Sequence, residues 1–383
     1  MTTNLQHEQP VRVWDLPTRF FHWGIAICFL IGWLTLDNRY LDIHVFSGYL
    51  MGGLMVFRLI WGFVGGPYAS FRSFSYSLGE ARDYAKSLLQ PNPKRFLGHN
   101  PAGSWAIYLL LALMLSMVLT GLLTLGGEER HGPLAGWLSF AQGAFFHDIH
   151  ELLAWVMLSI VAMHLVGVVV ESLIHRESLA ISMLTGYKKG SPKDSSSPSH
   201  WATGAGMLCF ALGAGLIWFS GHLTQTPEKP YLPFVGPVLA DDPLWREECG
   251  GCHLAFHPSL LPARSWKGTM ATQDSHFDED LALEQETITL IEDFLVKNAA
   301  EQFATEAAWK INARIPMNEA PLSITETAYW RDKHAELPTA IWDHPKVNGK
   351  SNCAACHLDA EAGTFEDAAM RLPSDQKSET GTK

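Results

Sequence analysis

Cysteine is scarce in this sequence, with six residues in 383. Four of the six fall in two five-residue runs, and the other two, Cys28 and Cys209, lie inside apolar stretches where they read as small packing residues. No pair is left over for a disulfide, which excludes a stapled secreted fold. Basic charge is also scarce where a nucleic-acid surface would need it: through Gly221 there are 14 Lys and Arg against 13 Asp and Glu, and from His222 onward 14 against 26. The net charge of -11 therefore resides in the C-terminal part, so nucleic acid is excluded as a partner and a basic soluble partner is favoured. That part has short helical patterns, as over residues 281–298, and little strand character.

The two cysteine runs are Cys249-Gly250-Gly251-Cys252-His253 and Cys353-Ala354-Ala355-Cys356-His357. Each has the C-x-x-C-H form in which two thiols add to the vinyl groups of a haem and the adjacent His takes the iron. A redox C-x-x-C does not need the following His, and a zinc site would leave both histidines without a role. Two covalent c-type haems follow, with His253 and His357 as proximal ligands. Distal candidates are His257, His276, His334, His344, Met270 and Met317. His257 is one helical turn from His253, too close to reach around a macrocycle, and reads as structural or superficial. His276 follows His253 by 23 residues and His334 precedes His357 by 23, either loop being long enough to wrap a haem.

Five apolar stretches approach the roughly 20 residues needed to cross a bilayer: 21–36, 44–64, 104–125, 149–170 and 202–220. A cleavable signal peptide is a poor reading of the start, because Arg12 and Arg19 precede a run without a small-residue cleavage site. Arg72, Arg82, Lys86, Lys94 and Arg95 lie between the second and third spans. Arg176, Lys188, Lys189 and Lys193 lie between the fourth and fifth, whereas the alternate loops hold only Arg39 and Arg130. This asymmetry predicts a cytoplasmic N-terminus. Five crossings then place the C-terminal part in the periplasm, where bacteria attach c-type haem. The expected divisions are a membrane domain over 1–190, a flexible connector and fifth span over 191–221, a proline-rich tether over 222–243, a di-haem domain over 244–373 and a polar tail over 374–383.

An ionisable residue within a span is a functional candidate by default. His22 opens the first span, His44 the second, and His150 and His164 lie in the fourth. Fourteen residues of helix bring His150 and His164 to within roughly 40° on one face, about 21 Å apart. With the N-terminus inside, depth pairs His22 with His164 and His44 with His150, a geometry for two b haems stacked across the bilayer. His147 competes for the outer site but lies off the shared face, and Gly48 leaves room for a macrocycle. Asp15, Asp37 and Glu151 are weaker candidates as proton handlers.

The run Val13-Trp14-Asp15-Leu16-Pro17-Thr18-Arg19-Phe20-Phe21-His22-Trp23, with His44, His150-Glu151 and His164, resembles the bacterial di-haem membrane cytochrome b family that includes cytochrome b-561 and the cytochrome b subunits of nickel-iron hydrogenases. The resemblance implies a four-helix bundle with two bis-His b haems that exchanges electrons between membrane quinone and a periplasmic partner. Arg19, one turn before His22, is either a partner for a haem propionate or a positive-inside anchor. Residues 255–266, His276-Phe277, residues 324–327, Trp330 and the second cysteine run resemble the di-haem cytochrome c family that donates electrons to a small monohaem cytochrome, sphaeroides haem protein. This implies bis-His ligation, with His276 and His334 the best fits.

The expected protein is all-α: a transmembrane four-helix haem b bundle plus a fifth membrane helix, followed by a mostly helical di-haem c-type domain. It sits in the bacterial inner membrane and passes electrons from quinol through two b and two c haems to a soluble periplasmic acceptor, a small c-type cytochrome. As an enzyme it would be a quinol:cytochrome c oxidoreductase, with no side chain assigned a catalytic role. Rival readings are a haem anchor docking a periplasmic redox enzyme such as a hydrogenase, superoxide oxidation with reverse flow into quinone, and a redox or gas sensor.

Overall fold

The computed structural model describes residues 9–36, 40–90, 93–224, 234–236, 238–302, 305–366 and 369–373. Asp37, Arg39, residues 225–233 and 237 of the expected tether, and the tail over 374–383 lie outside the described residues. The chain divides into two compact units, Met1–Gly121 with Phe146–Thr224, and Leu122–Phe145 with Gln225–Lys383.

The first unit contains β1 (Gln9–Arg12), α1 (Leu16–Leu34), α2 (Leu41–Val64), α3 (Leu78–Ser87), most of α4 (Pro101–Gly127) and of α5 (Phe140–His175), α6 (Leu179–Thr185), β2 (Tyr187–Gly190) and α7 (Trp201–Thr224). α1 starts where Asp15 accepts from Thr18 N at 2.9 Å, with Pro17 in the first turn. Helices α2, α4, α5 and α7 are long and apolar enough to cross a membrane. α1, the expected first span, is not among them, since its 19 residues carry Arg19 and His22 in the first two turns. It packs against α2 and α7. Phe21, Cys28, Met51, Leu54, Met55, Leu111, Met114, Ala154 and Met157 form the core of the unit. Phe63, Leu173 and Leu216 are exposed apolar residues, as a lipid-facing surface requires.

Two features differ from the sequence reading. α5 extends well beyond the apolar stretch at both ends, because the flanking polar residues sustain the helix after the hydrophobic signal has stopped. The serine-rich connector is pinned: Ser197 N donates to Arg12 O at 2.8 Å and Tyr68 Oη to Ser195 O at 2.9 Å. Serines and prolines break helices, but their backbone still bonds to a neighbouring scaffold, here the antiparallel β1–β2 pair.

In the second unit α8 (Pro243–Gly250), α9 (Ala263–Met270), α10 (Gln285–Lys297), α11 (Glu306–Arg314) and α12 (Ala328–His334) are joined by short 3-10 turns. Trp245, Leu261, Trp266, Met270, Ile291, Leu295 and Ile311 lie in its core. The segment Leu122–Phe145 is part of this unit: Phe140 stacks on Trp309 at 4.7 Å, and His131 Nε2 meets Glu366 Oε2 at 3.3 Å.

His257 is fully buried, so of its two expected roles the structural one applies. Its Nδ1 accepts from Ser259 N at 3.3 Å, and Gly363, at φ +70°, passes so close that a Cβ there would lie 2.2 Å from the ring. Burial pushes the imidazole down to about 4 from its ordinary 6.5. A depressed folded-state value means that the unfolded chain takes up the proton first. Stability is therefore intact above about pH 6.5 and is lost as pH falls toward 4, by at most about 3 kcal/mol. Chemical denaturation of the full chain at pH 7 and pH 4.5, followed in the c-type absorption band, is expected to show this loss. His257→Gln should flatten the dependence, and an unchanged slope in that variant would assign it to other groups.

Candidate haem sites

Six of the eight candidate iron ligands form three close pairs. The ring centroids of His44 and His150 are 6.1 Å apart, those of His253 and His276 6.5 Å, and those of His334 and His357 6.2 Å. Two imidazoles on opposite sides of one metal, each bound through nitrogen at about 2.0 Å, place their centroids about 6.3 Å apart. All three pairs match that spacing, so the residues present fit a metal held between each pair. The fourth candidate pair, His22 and His164, lies within electrostatic range on α1 and α5.

The ring nitrogens are also directed. His44 Nδ1 lies 3.1 Å from Gly32 O, and His150 Nδ1 lies 3.1 Å from Met117 O and 3.0 Å from Thr120 Oγ1. His253 Nδ1 meets Leu254 O at 2.7 Å and His334 Nδ1 meets Trp330 O at 2.7 Å. A carbonyl at Nδ1 fixes the proton there and leaves the Nε2 lone pair for a metal. Glycine makes room for one of these rings: a Cβ at Gly121 would stand 3.2 Å from His150 Cε1, tighter than an ordinary contact. That glycine did not stand out in the sequence. Gly48 has open space around it.

The second cysteine run opens on a cavity of about 300 Å³ lined by Trp330, His334, Trp342, Cys353, Cys356 and His357. Trp330 stacks on His334 at 4.3 Å, and Phe256 on His253 at 4.7 Å. Cys249 and Cys353 are half-buried, and burial pushes each thiol up to about 11, a setting suited to an uncharged thioether. Cys252 and Cys356 complete the two attachment pairs and are more open. Burial lowers His276 and His334, which keeps them in the neutral form that ligates metal. Met270 is buried in the core and Met317 is exposed, and neither lies among the residues lining this cavity.

Arg19 donates from Nε to Met183 O at 3.3 Å and from Nη2 to Leu184 O, at the carboxyl end of α6. Asp15 accepts from Thr18 N and Trp61 Nε1 and meets His200 Nδ1 at 3.3 Å, while Glu151 is exposed. Sequence reasoning missed Arg58, which is only 3% exposed within α2. A cation inside the apolar run 44–64 was the available signal.

Paired histidines within a bundle of membrane-length helices, followed by two C-x-x-C-H runs with aromatic shelters, define a membrane multihaem electron-transfer protein. Residues 13–186 match the family model for prokaryotic cytochrome b561, and residues 245–365 match that for dihaem cytochrome c. The chain thus carries a cytochrome b561 domain followed by a dihaem cytochrome c domain, with two b and two c haems. Over 215 residues it is 28% identical to a probable Ni/Fe-hydrogenase B-type cytochrome subunit from Rhizobium leguminosarum bv. viciae, covering 46% of this chain and 88% of that one. The corresponding protein from Azotobacter vinelandii is 25% identical over 219 residues, covering 48% and 90%. Among solved structures, the diheme cytochrome c from Rhodobacter sphaeroides is 39% identical, with 34% of this chain and all of that chain covered at a TM-score of 0.30. A diheme cytochrome c from Shewanella baltica OS155 is 32% identical, covering 34% and 93% at a TM-score of 0.28.

Proposed function

We propose that the protein takes electrons from membrane quinol and delivers them one at a time to a soluble periplasmic acceptor, a small c-type cytochrome. The haems, when bound, supply the one-electron couples. His22 with His164 and His44 with His150 hold the inner and outer b haems. His253 with His276 and His357 with His334 hold the c haems, each attached through its own cysteine pair. The chain's work is to set spacing, keep each imidazole neutral and aimed, and exclude water. The N-terminus is cytoplasmic and residues 244–373 are periplasmic. The single observation that carries this reading is the recurrence of one imidazole spacing in both the membrane unit and the C-terminal unit. The acidic C-terminal part supports a basic partner and a salt-sensitive encounter.

The hydrogenase-type names of the relatives favour a second reading, in which the protein anchors a periplasmic redox enzyme and passes its electrons inward. Anaerobic stopped-flow mixing with a short-chain quinol separates the two. Reduction of the b band followed by the c band is expected. Failure of quinol to reduce either band, with fast reduction by an external donor, would reverse the direction or leave an anchor.

A further inference from the structure

Arg58 is an unresolved charge in the membrane unit. The residue is only 3% exposed, and its buried Nη1 has no hydrogen-bond partner among the described residues. Its close neighbours are the ring faces of Phe71, at 4.7 Å, and Phe74, at 5.9 Å. Asp15 is within electrostatic range, but its carboxylate takes its hydrogen bonds from Thr18 and Trp61 and meets His200. A second donor stands alongside. His99 is sandwiched by Trp14 at 4.7 Å and Phe74 at 4.5 Å, within electrostatic range of Arg58, and its Nδ1 is buried without a partner. A buried cation with no carboxylate in direct contact is costly, so a site of this kind suits a further anion.

Helix geometry says which anion. α2 and α5 run in the same direction by the alternation of the spans, and their mutual register is set by His44 against His150. His164 is 14 residues beyond His150, and Arg58 is 14 residues beyond His44. Both therefore descend about 21 Å and stay within roughly 40° of the face that their partner histidine occupies. α2 offers a histidine at the outer level and an arginine at the inner level, where α5 offers its second histidine. We infer that Arg58, with His99 beside it, holds a propionate carboxylate of the inner b haem. The guanidinium fork suits a planar carboxylate, and a neutral quinone carbonyl would leave the buried charge uncompensated. This role is distinct from that of Arg19, whose donors are on backbone carbonyls.

The inference rests on His22 and His164 being the inner ligands, and the test keeps the two apart. In full-length protein purified with its haems, R58Q removes a positive charge beside one b haem, which favours the ferric state. The reduction equilibrium of that haem should shift at least about tenfold toward ferric, or about 59 mV for one electron, with the other b haem and both c haems unchanged. Emptying of that one site would have the same meaning. R58K keeps the charge but not the fork, so the propionate bending bands in its resonance Raman spectrum should move for one b haem. This second measurement stands if R58Q does not accumulate. Unshifted potentials in R58Q with both b haems retained, or unshifted bands in R58K, would overturn the inference. So would loss of quinol reduction alone, which would give Arg58 to the quinone. In H164A, retention of two b haems removes the inner site and the inference with it; loss of one, beside an unchanged R58Q, removes only the role of Arg58.

Discussion

Alanine at His44 is expected to leave one b haem per chain where there were two, and alanine at His150 to remove that same haem. The double variant should lose no more than either single one, because both rings serve one metal across a 6.1 Å gap. The effect should be large. Substituting a second-shell partner of a metal ligand already costs about 10–100-fold in affinity, and here the ligand itself is deleted. The b-to-c ratio from pyridine haemochrome spectra measures the loss directly. In the same samples quinol should no longer reduce the c band, whereas dithionite still does. Different b spectra lost from H44A and H150A would refute the pairing. The surviving haem should keep its spectrum in both variants, since its expected ligands His22 and His164 are untouched.

The second large effect concerns the C-terminal unit. Removing both attachment thiols, Cys353 and Cys356, in a C353A/C356A variant denies the cavity its covalent occupant. The open cleft of about 300 Å³ would then lose every apolar contact between its lining and the bound group, in a domain whose whole stability margin is only about 5–15 kcal/mol. Trp330, His334 and Trp342 would be left lining empty space. The C-terminal part is therefore expected to become sensitive to protease while the membrane unit retains both b haems. Limited proteolysis read alongside the b band distinguishes this from general misfolding. A protease-resistant C-terminal part carrying one c haem would show that the cavity closes on its own.

How much of this was legible depends on what each residue had to signal. The approach of His44 to His150 was readable because depth limits who can meet whom: a ring at one surface cannot reach a ring at the other. The distal histidines of the C-terminal part had no such ruler. Both intervals are 23 residues and either loop could serve either haem, so only the fold brings His276 to His253 and His334 to His357. Arg58 went unread because the 14-residue argument was applied to histidines alone, although His44 to Arg58 repeats it. Gly121 carried no signal, since a glycine that leaves room for an imidazole looks like any other small residue in a membrane helix. The apolar signal of α1 is diluted because Pro17, Arg19 and His22 occupy its opening turns. The β1–β2 pair is four residues a side, too short for its alternation to register.

The carbonyl contacts at Nδ1 have a consequence for speed. Gly32 O belongs to α1 and Met117 O to α4, so His44 and His150 are each held by a helix other than their own. A ring gripped from behind by rigid backbone cannot follow small changes in metal radius, and its partner across the gap is gripped in the same way. A haem held between them would therefore keep nearly the same ligand positions in its oxidised and reduced states, and the rings would add little reorganisation energy to an electron's arrival or departure.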